Sequence, residues 1–228
     1  MADIGLLPIR TRILTDKDDI FAVMDEYVKD RIGPDDVLSL AESVLAIMQG
    51  RIVRPENIRP CFLARVFCLF VAQEGSLASP FGMQALMNAE GKWRVAGAFL
   101  LGAVMKLLGR GGWFYRLGGR QAALIDDVTG TMPPYDKHIV YGPDEPYEVA
   151  CELKERLGCF GAVVADVNDL KRARIVSCTA GMNPAFLSRI LVNNPFGNAS
   201  QKTPIVIIKN YAKLQEQIFL PRTKADEQ

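Results

Sequence analysis

The sequence has one histidine, five cysteines and no excess of charge, and each scarcity removes a class of protein. Because His138 is alone, a histidine-based metal cluster is excluded. The cysteines are odd in number and form no Cys-x-x-Cys pair, which predicts reduced, mostly buried thiols rather than a disulfide framework or a zinc site. The 27 basic and 26 acidic residues nearly balance, so no strong field favours a polyanion. We expect no nucleic-acid partner and a cytoplasmic location.

Familiar catalytic and nucleotide-binding motifs are also missing. The chain contains neither Gly-x-Gly-x-x-Gly nor Gly-x-x-x-x-Gly-Lys-Ser/Thr, so neither a dinucleotide-binding fold nor a P-loop is indicated. It has no Gly-x-Ser-x-Gly elbow for a serine nucleophile. Any nucleotide must therefore be held by another arrangement.

Only one long apolar stretch is present, and it tests whether the chain enters a membrane. Residues 95–108 are almost wholly apolar, but Lys106 interrupts them, and the run is shorter than the roughly 20 residues that span a bilayer. It predicts a buried or interfacial helix and no integral membrane span. Acidic Asp3 before a very short apolar stretch is unlike a secretion signal.

The remaining patterns mix helices and strands. They predict helices over 15–30, 60–73 and 147–157, the first with Thr15 at its N-cap. They predict strands over 36–40, 121–125, 160–165 and 204–209. A transition from strand to helix is expected near Glu42 and Ser43. We therefore predict an α+β fold with a mixed sheet and packed helices. The expected organisation is one domain over 1–221, with a possible minor lobe around 60–118 and a flexible tail over 222–228.

Two predicted strands end in acids. Asp126 and Asp127 follow QAALI, and Asp166 follows AVVA. Carboxylates converging at strand ends would suit magnesium or manganese. They could equally be ordinary caps or turn residues, because aspartate favours such positions.

Four segments occur in an order that resembles the coenzyme F-420:γ-glutamyl ligase family. They are Leu7-Pro8-Ile9-Arg10 followed by DVL and ESVLAIMQGR, then QAALIDDVT, then VVADVN, and finally GNASQKTP before PIVIIK. The resemblance implies that family's fold and a homodimer. It also implies a GTP- or ATP-dependent ligase that joins glutamate, or another amino acid, to a small carboxylic acid.

The same resemblance implies a set of site residues. Asp127 and Asp166 would be catalytic, with metal ligands from Asp126, Asp127, Asp166, Asn168 and Asn198 for Mg²⁺ or Mn²⁺. The nucleotide would contact Leu7, Pro8, Ile9, Arg10, Ser43, Gly197, Asn198, Ala199, Ser200 and Gln201.

Departures from the family pattern leave three functions open. The family's lysine corresponds to Ile47, and its threonine after the second metal aspartate corresponds to Val167. The chain could be a ligase for another acid, such as a folate, or a ligase for the deazaflavin coenzyme itself. The third alternative is a catalytically weakened relative that binds a nucleotide or another ligand, or has a structural role.

Overall fold

Seven strands and nine helices are present in the described residues, which are 5–71, 76–125, 133–168, 171–197 and 201–219 of a computed structural model. The strands are β1 (Leu6–Ile9), β2 (Val37–Ala41), β3 (Ile52–Val53), β4 (Ile139–Val140), β5 (Gly161–Asn168), β6 (Arg172–Cys178) and β7 (Ile205–Ile208). The helices are α1 (Ile20–Tyr27), α2 (Glu42–Met48), α3 (Phe62–Phe67), α4 (Pro80–Glu90), α5 (Lys92–Leu107), α6 (Trp113–Leu117), α7 (Pro146–Leu157), α8 (Pro184–Leu191) and α9 (Tyr211–Phe219). The predicted α+β class with a mixed sheet and packed helices is confirmed.

The chain divides into two compact units. The sheet unit comprises Met1–Met48 with Asp144–Gln228, and the helical unit comprises Gln49–Pro143. The minor lobe predicted around 60–118 falls within the helical unit. Asp126, Asp127, Asn198, Ala199, Ser200 and the predicted tail 222–228 lie outside the described residues.

A five-stranded sheet in the order β1-β7-β2-β5-β6 organises the sheet unit. β2 pairs parallel with β5, whereas β7 is antiparallel to both β1 and β2, and β6 is antiparallel to β5. The central strands are buried on both faces, which explains their nearly continuous apolar runs.

Helices cover both faces of this sheet. Leu38 and Leu40 of β2 pack in a cluster with residues of α1, α2 and α7, whereas Val37 packs in a second cluster with α8 and Tyr211. The alternation of side chains along a strand accounts for this division. We call these the α7 face and the α8 face of the sheet.

In the helical unit, α3, α4 and α5 supply most of a separate apolar core, with β3 pairing antiparallel to β4. Ser79 caps α4 by accepting a hydrogen bond from the Gly82 amide at 2.9 Å, with Pro80 in the first turn. Within the described ranges, no helix is long and apolar enough to cross a bilayer.

Three local predictions were wrong. Residues 121–125 do not form a strand, because a short apolar run does not distinguish a strand from a helix, and the first three of them belong to a short 3-10 helix, Arg120–Ala123. The first helix begins at Ile20 with Asp19 as its cap, since Thr15 and Asp18 form their own hydrogen-bonded turn. Asp166 does not follow its strand but lies within it, because pairing with β6 extends β5 to Asn168.

Candidate functional site

Strand direction brings most of the described candidate segments to one end of the sheet. β1, β2 and β5 run one way, and β6 and β7 run the opposite way. The carboxyl ends of the first three strands and the amino ends of the other two therefore share one end, which we call the carboxyl end of the sheet. Crevices outside the carboxyl ends of parallel strands are common ligand sites.

The Leu7–Arg10 segment reaches this end from β1. Ile9 is fully buried in the core on the α7 face, whereas Leu7, Pro8 and Arg10 are exposed. Ile9 therefore has a packing role, and Arg10 is the residue of this segment that offers a charged group to a ligand. Ser43 is partly buried in the first turn of α2, directly beyond the end of β2.

The loop before β7 also lies at the carboxyl end. The Thr11 amide donates to the Lys202 carbonyl at 2.9 Å, and the Ala41 amide donates to the Pro204 carbonyl at 2.9 Å, so the loop is joined to both β1 and β2. Gly197 has φ +70°, and a Cβ there would lie 2.7 Å from the Gln201 side chain. The ends of this candidate nucleotide loop therefore come close together, and glycine is required at its start.

A row of charges crosses the carboxyl end. The guanidinium of Arg174 on β6 lies 3.6 Å from a carboxylate oxygen of Glu42 and 3.9 Å from one of Asp166. Glu42 is only 7% exposed, whereas the Asp166 side chain is partly exposed. Both distances exceed the 2.7–2.9 Å or so of a charge-assisted hydrogen bond, so these are longer ion pairs.

A bulge between β5 and β6 produces this row. Val164 pairs with Ser177 but Ala165 pairs with Ile175, and the shift places Asp166 opposite Arg174. Alternation puts both of these side chains on the α7 face, which α2 also covers. Val167, which the resemblance aligns with the family's threonine, packs on the α8 face, so its side chain and that of Asp166 lie on opposite faces of the sheet.

The fit to a divalent metal rests on donor chemistry. Glu42 and Asp166 supply the hard oxygen atoms that Mg²⁺ and Mn²⁺ take. The amide oxygen of Asn168, a predicted ligand, accepts from the Arg172 amide at 3.3 Å and so joins the end of β5 to the start of β6. In the part of the chain that the structure describes, no group of three or more His, Cys, Asp or Glu residues could hold a metal. Two carboxylates can nevertheless anchor a cation that takes its other ligands from phosphates and water.

Sequence reasoning missed Glu42 and Arg174. The signal for Glu42 was an acid directly after a buried strand, the same pattern that singled out Asp166. Arg174 lies in an alternating segment, RARIVSC, that was not recognised as a strand. Ile47, which the resemblance aligns with the family's lysine, is 4% exposed in α2.

These features define a mixed α+β protein whose candidate site is a charged strand-end cluster. No protein-family model and no curated protein matches this sequence.

Proposed function

We propose that this chain is a nucleotide- and divalent-metal-dependent ligase that joins an amino acid, such as glutamate, to a small carboxylic acid, in the manner of the coenzyme F-420:γ-glutamyl ligases. The observation that carries the proposal is convergence: the end of β1, the start of α2, the end of β5 and the loop before β7 all lie at the carboxyl end of one sheet. Three of the four segments that resemble the family have described residues there. Of the fourth, QAALIDDVT, residues 121–125 belong to the helical unit, and residues 126–129 lie outside the described residues.

The chemistry requires both signs of charge at this end. The nucleotide's terminal phosphoryl group passes to the acid's carboxylate, and the amine then displaces phosphate to form the amide. Glu42 and Asp166 would anchor the metal, which neutralises charge on the phosphates. Arg174 and Arg10 would offer cations to the phosphates or to the acid substrate. The reaction consumes a cytoplasmic nucleotide, so a cytoplasmic enzyme is part of this proposal.

A second candidate is a relative that binds a nucleotide or an acid without performing the reaction. The observation that favours it is Arg174 itself, because a guanidinium within 4 Å of both Glu42 and Asp166 offsets part of their negative charge without a metal. Buried Ile47 in place of the family's lysine favours the same candidate.

Ligand-induced thermal stabilisation tests the metal and nucleotide together. We expect GTP or ATP to raise the melting temperature only with Mg²⁺ or Mn²⁺ present, since a ligand that binds the folded state stabilises it. Asp166→Asn and Glu42→Gln should each weaken the metal-dependent shift. The control is Asp35→Asn, because Asp35 forms an exposed ion pair with Lys213. A shift that is independent of metal favours the second candidate. No shift with either nucleotide refutes the ligase and the nucleotide-binding form of the second candidate.

Product formation separates the ligase from the binding protein. Phosphate release should rise when a matching acid and glutamate are supplied together, and mass spectrometry should show the amide. Deazaflavin and folate acids in the panel distinguish the two ligase alternatives. Nucleotide binding without amide formation for any acid in the panel would favour the second candidate.

A further inference from the structure

The outward side of α5 is a strongly exposed apolar surface of the helical unit. Trp93 is 79% exposed and Leu107 is 88% exposed. We define the α5 face as Trp93, Leu100, Leu101, Val104, Leu107 and Leu108, all of which are exposed. Members recur three, four or seven residues apart, so they share one side of the helix.

The opposite side of α5 already packs in a core. Val95, Ala96, Ala98 and Gly102 are buried. A surface helix with one buried side normally turns a polar side to water. Here the outward side is apolar as well, and water exposure of so many large side chains is costly. A partner surface is therefore needed.

The apolar surface continues beyond α5. The Phe99 ring stacks on Phe67 at 4.0 Å between centroids and meets the edge of Phe70 at 6.1 Å. Phe70 is 67% exposed, and its neighbour Leu69 is 76% exposed. The turn that follows α3 thus places further exposed apolar side chains close to α5.

The charged residues of α5 and of the segment that follows it are all basic. Residues 92–120 contain six basic residues and no acidic residue: Lys92, Arg94, Lys106, Arg110, Arg116 and Arg120. All six are exposed, although Arg94 also pairs with Glu90 at 3.0 Å. Residues 95–105 carry no charge, so the basic residues of α5 flank an uncharged middle.

We propose that the α5 face binds the surface of an anionic lipid membrane, with α5 lying in the plane of the interface. An apolar helix side with a terminal tryptophan and flanking lysine and arginine residues is typical of interfacial helices. The 16-residue helix is about 24 Å long at 1.5 Å per residue, which is short of the hydrocarbon thickness. The helix therefore lies on a bilayer rather than crossing it.

Charge decides between a membrane and a second copy of the chain. In a two-fold dimer the same patch meets itself. Because Lys92 and Arg94 stand at one end of α5 and Lys106 at the other, either a parallel or an antiparallel pairing brings basic residues together. An anionic lipid surface complements both ends at once, and each basic residue near that surface raises the affinity for the membrane roughly fivefold.

Vesicle sedimentation with the full chain tests the proposal. We expect binding to phosphatidylcholine vesicles that contain about one-third phosphatidylglycerol, and little binding to phosphatidylcholine alone. Salt at about 0.5 M should weaken the binding because it screens the lipid charge. Lys106→Gln with Arg110→Gln should reduce the affinity about 25-fold, whereas Lys17→Gln with Lys29→Gln, a matched pair of exposed lysines, should not.

Tryptophan emission shows which surface makes contact. The chain has two tryptophans, exposed Trp93 and half-buried Trp113. Anionic vesicles should shift the emission to the blue in the wild type and in Trp113→Phe, and the shift should be lost in Trp93→Phe. Leu100→Ser with Leu107→Ser should lower the affinity for anionic vesicles about tenfold or more in the sedimentation assay. Ile13→Ser, at an exposed apolar residue of the sheet unit, should leave that affinity unchanged.

Two outcomes would overturn the proposal. One is no binding to anionic vesicles by the wild type. The other is a concentration-dependent dimer in sedimentation velocity without lipid that Leu100→Ser with Leu107→Ser abolishes, because the α5 face would then be a contact between copies of this chain.

Discussion

Asp36 is the buried charge whose removal should most clearly destabilise the sheet unit. It is 5% exposed and stands directly before β2. One carboxylate oxygen accepts from Lys209 Nζ at 2.7 Å and from the Gly33 amide at 2.8 Å. The other accepts from the Asn210 amide at 2.9 Å. This carboxylate therefore joins the start of β2 to the residues that follow β7.

We expect Asp36→Asn to lower the free energy of unfolding by about 3 kcal/mol. A hydrogen bond to a charged group is worth about 1.5–3 kcal/mol, and asparagine keeps only one acceptor oxygen for three donors. Lys209 is partly exposed and can regain water, so the loss stays below the sum of three bonds. Urea unfolding at neutral pH measures the difference.

The pH dependence gives a second measurement on the same residue. Burial raises the pKa of Asp36, but the hydrogen bonds from Lys209, Asn210 and Gly33 outweigh burial and hold the pKa below its usual value. A lowered carboxylate pKa contributes stability above the unfolded value of about 3.9, and that stability is lost as pH falls through the folded pKa. The gap between wild type and Asp36→Asn should therefore shrink towards acid pH.

Neighbouring Asp35 provides the matched control. Its ion pair with Lys213 at 2.8 Å is exposed, so Asp35→Asn should change stability little. If Asp36→Asn costs no more than Asp35→Asn, or if the gap to wild type grows on acidification, the reasoning is refuted.

Three further predictions concern packing, capping and thiol reactivity. Gly82→Ala should lower the free energy of unfolding by about 1–3 kcal/mol, because the added Cβ would lie 2.3 Å from the Ser76 carbonyl oxygen. The Cβ of Gly97→Ala enters open space, so this substitution should raise the free energy of unfolding by about 0.5–1 kcal/mol; thermal melts measure both. Asn183→Ala should cost about 1 kcal/mol by removing the cap of α8, and Asn183→Asp should retain it in urea unfolding. Burial raises the pKa of the Cys159 thiol, so this cysteine should react with a thiol reagent only on unfolding; rapid labelling of the native protein would contradict its placement.

The local elements followed from sequence where the pattern was long or strongly apolar. The helix over 147–157 and the strands over 36–40 and 204–209 match α7, β2 and β7 to within a residue at each end. Prediction was wrong where the pattern was short, as at residues 121–125, and where pairing extended an element, as at Asp166. β6 was not recognised, because its alternating basic and apolar residues are only half-buried at a sheet edge.

The candidate site was only partly predictable, because strand pairing decides which side chains meet there. Asp166 stood out because it follows a buried run. Arg174 became significant only through the bulge that sets it opposite Asp166, and a bulge is a property of the paired strands rather than of either sequence.

The sequence by itself determined which stretches are strongly apolar, that helices and strands are mixed along the chain, and that residues 92–120 carry only basic charge around an apolar helix. Tertiary structure alone decided that β2 lies between β5 and β7 and that Glu42 and Asp166 share one guanidinium. It also decided that one side of α5 is left exposed. The physical reason is that hydrophobic periodicity acts within an element, whereas strand order, register and exposed faces depend on contacts between residues far apart in the chain.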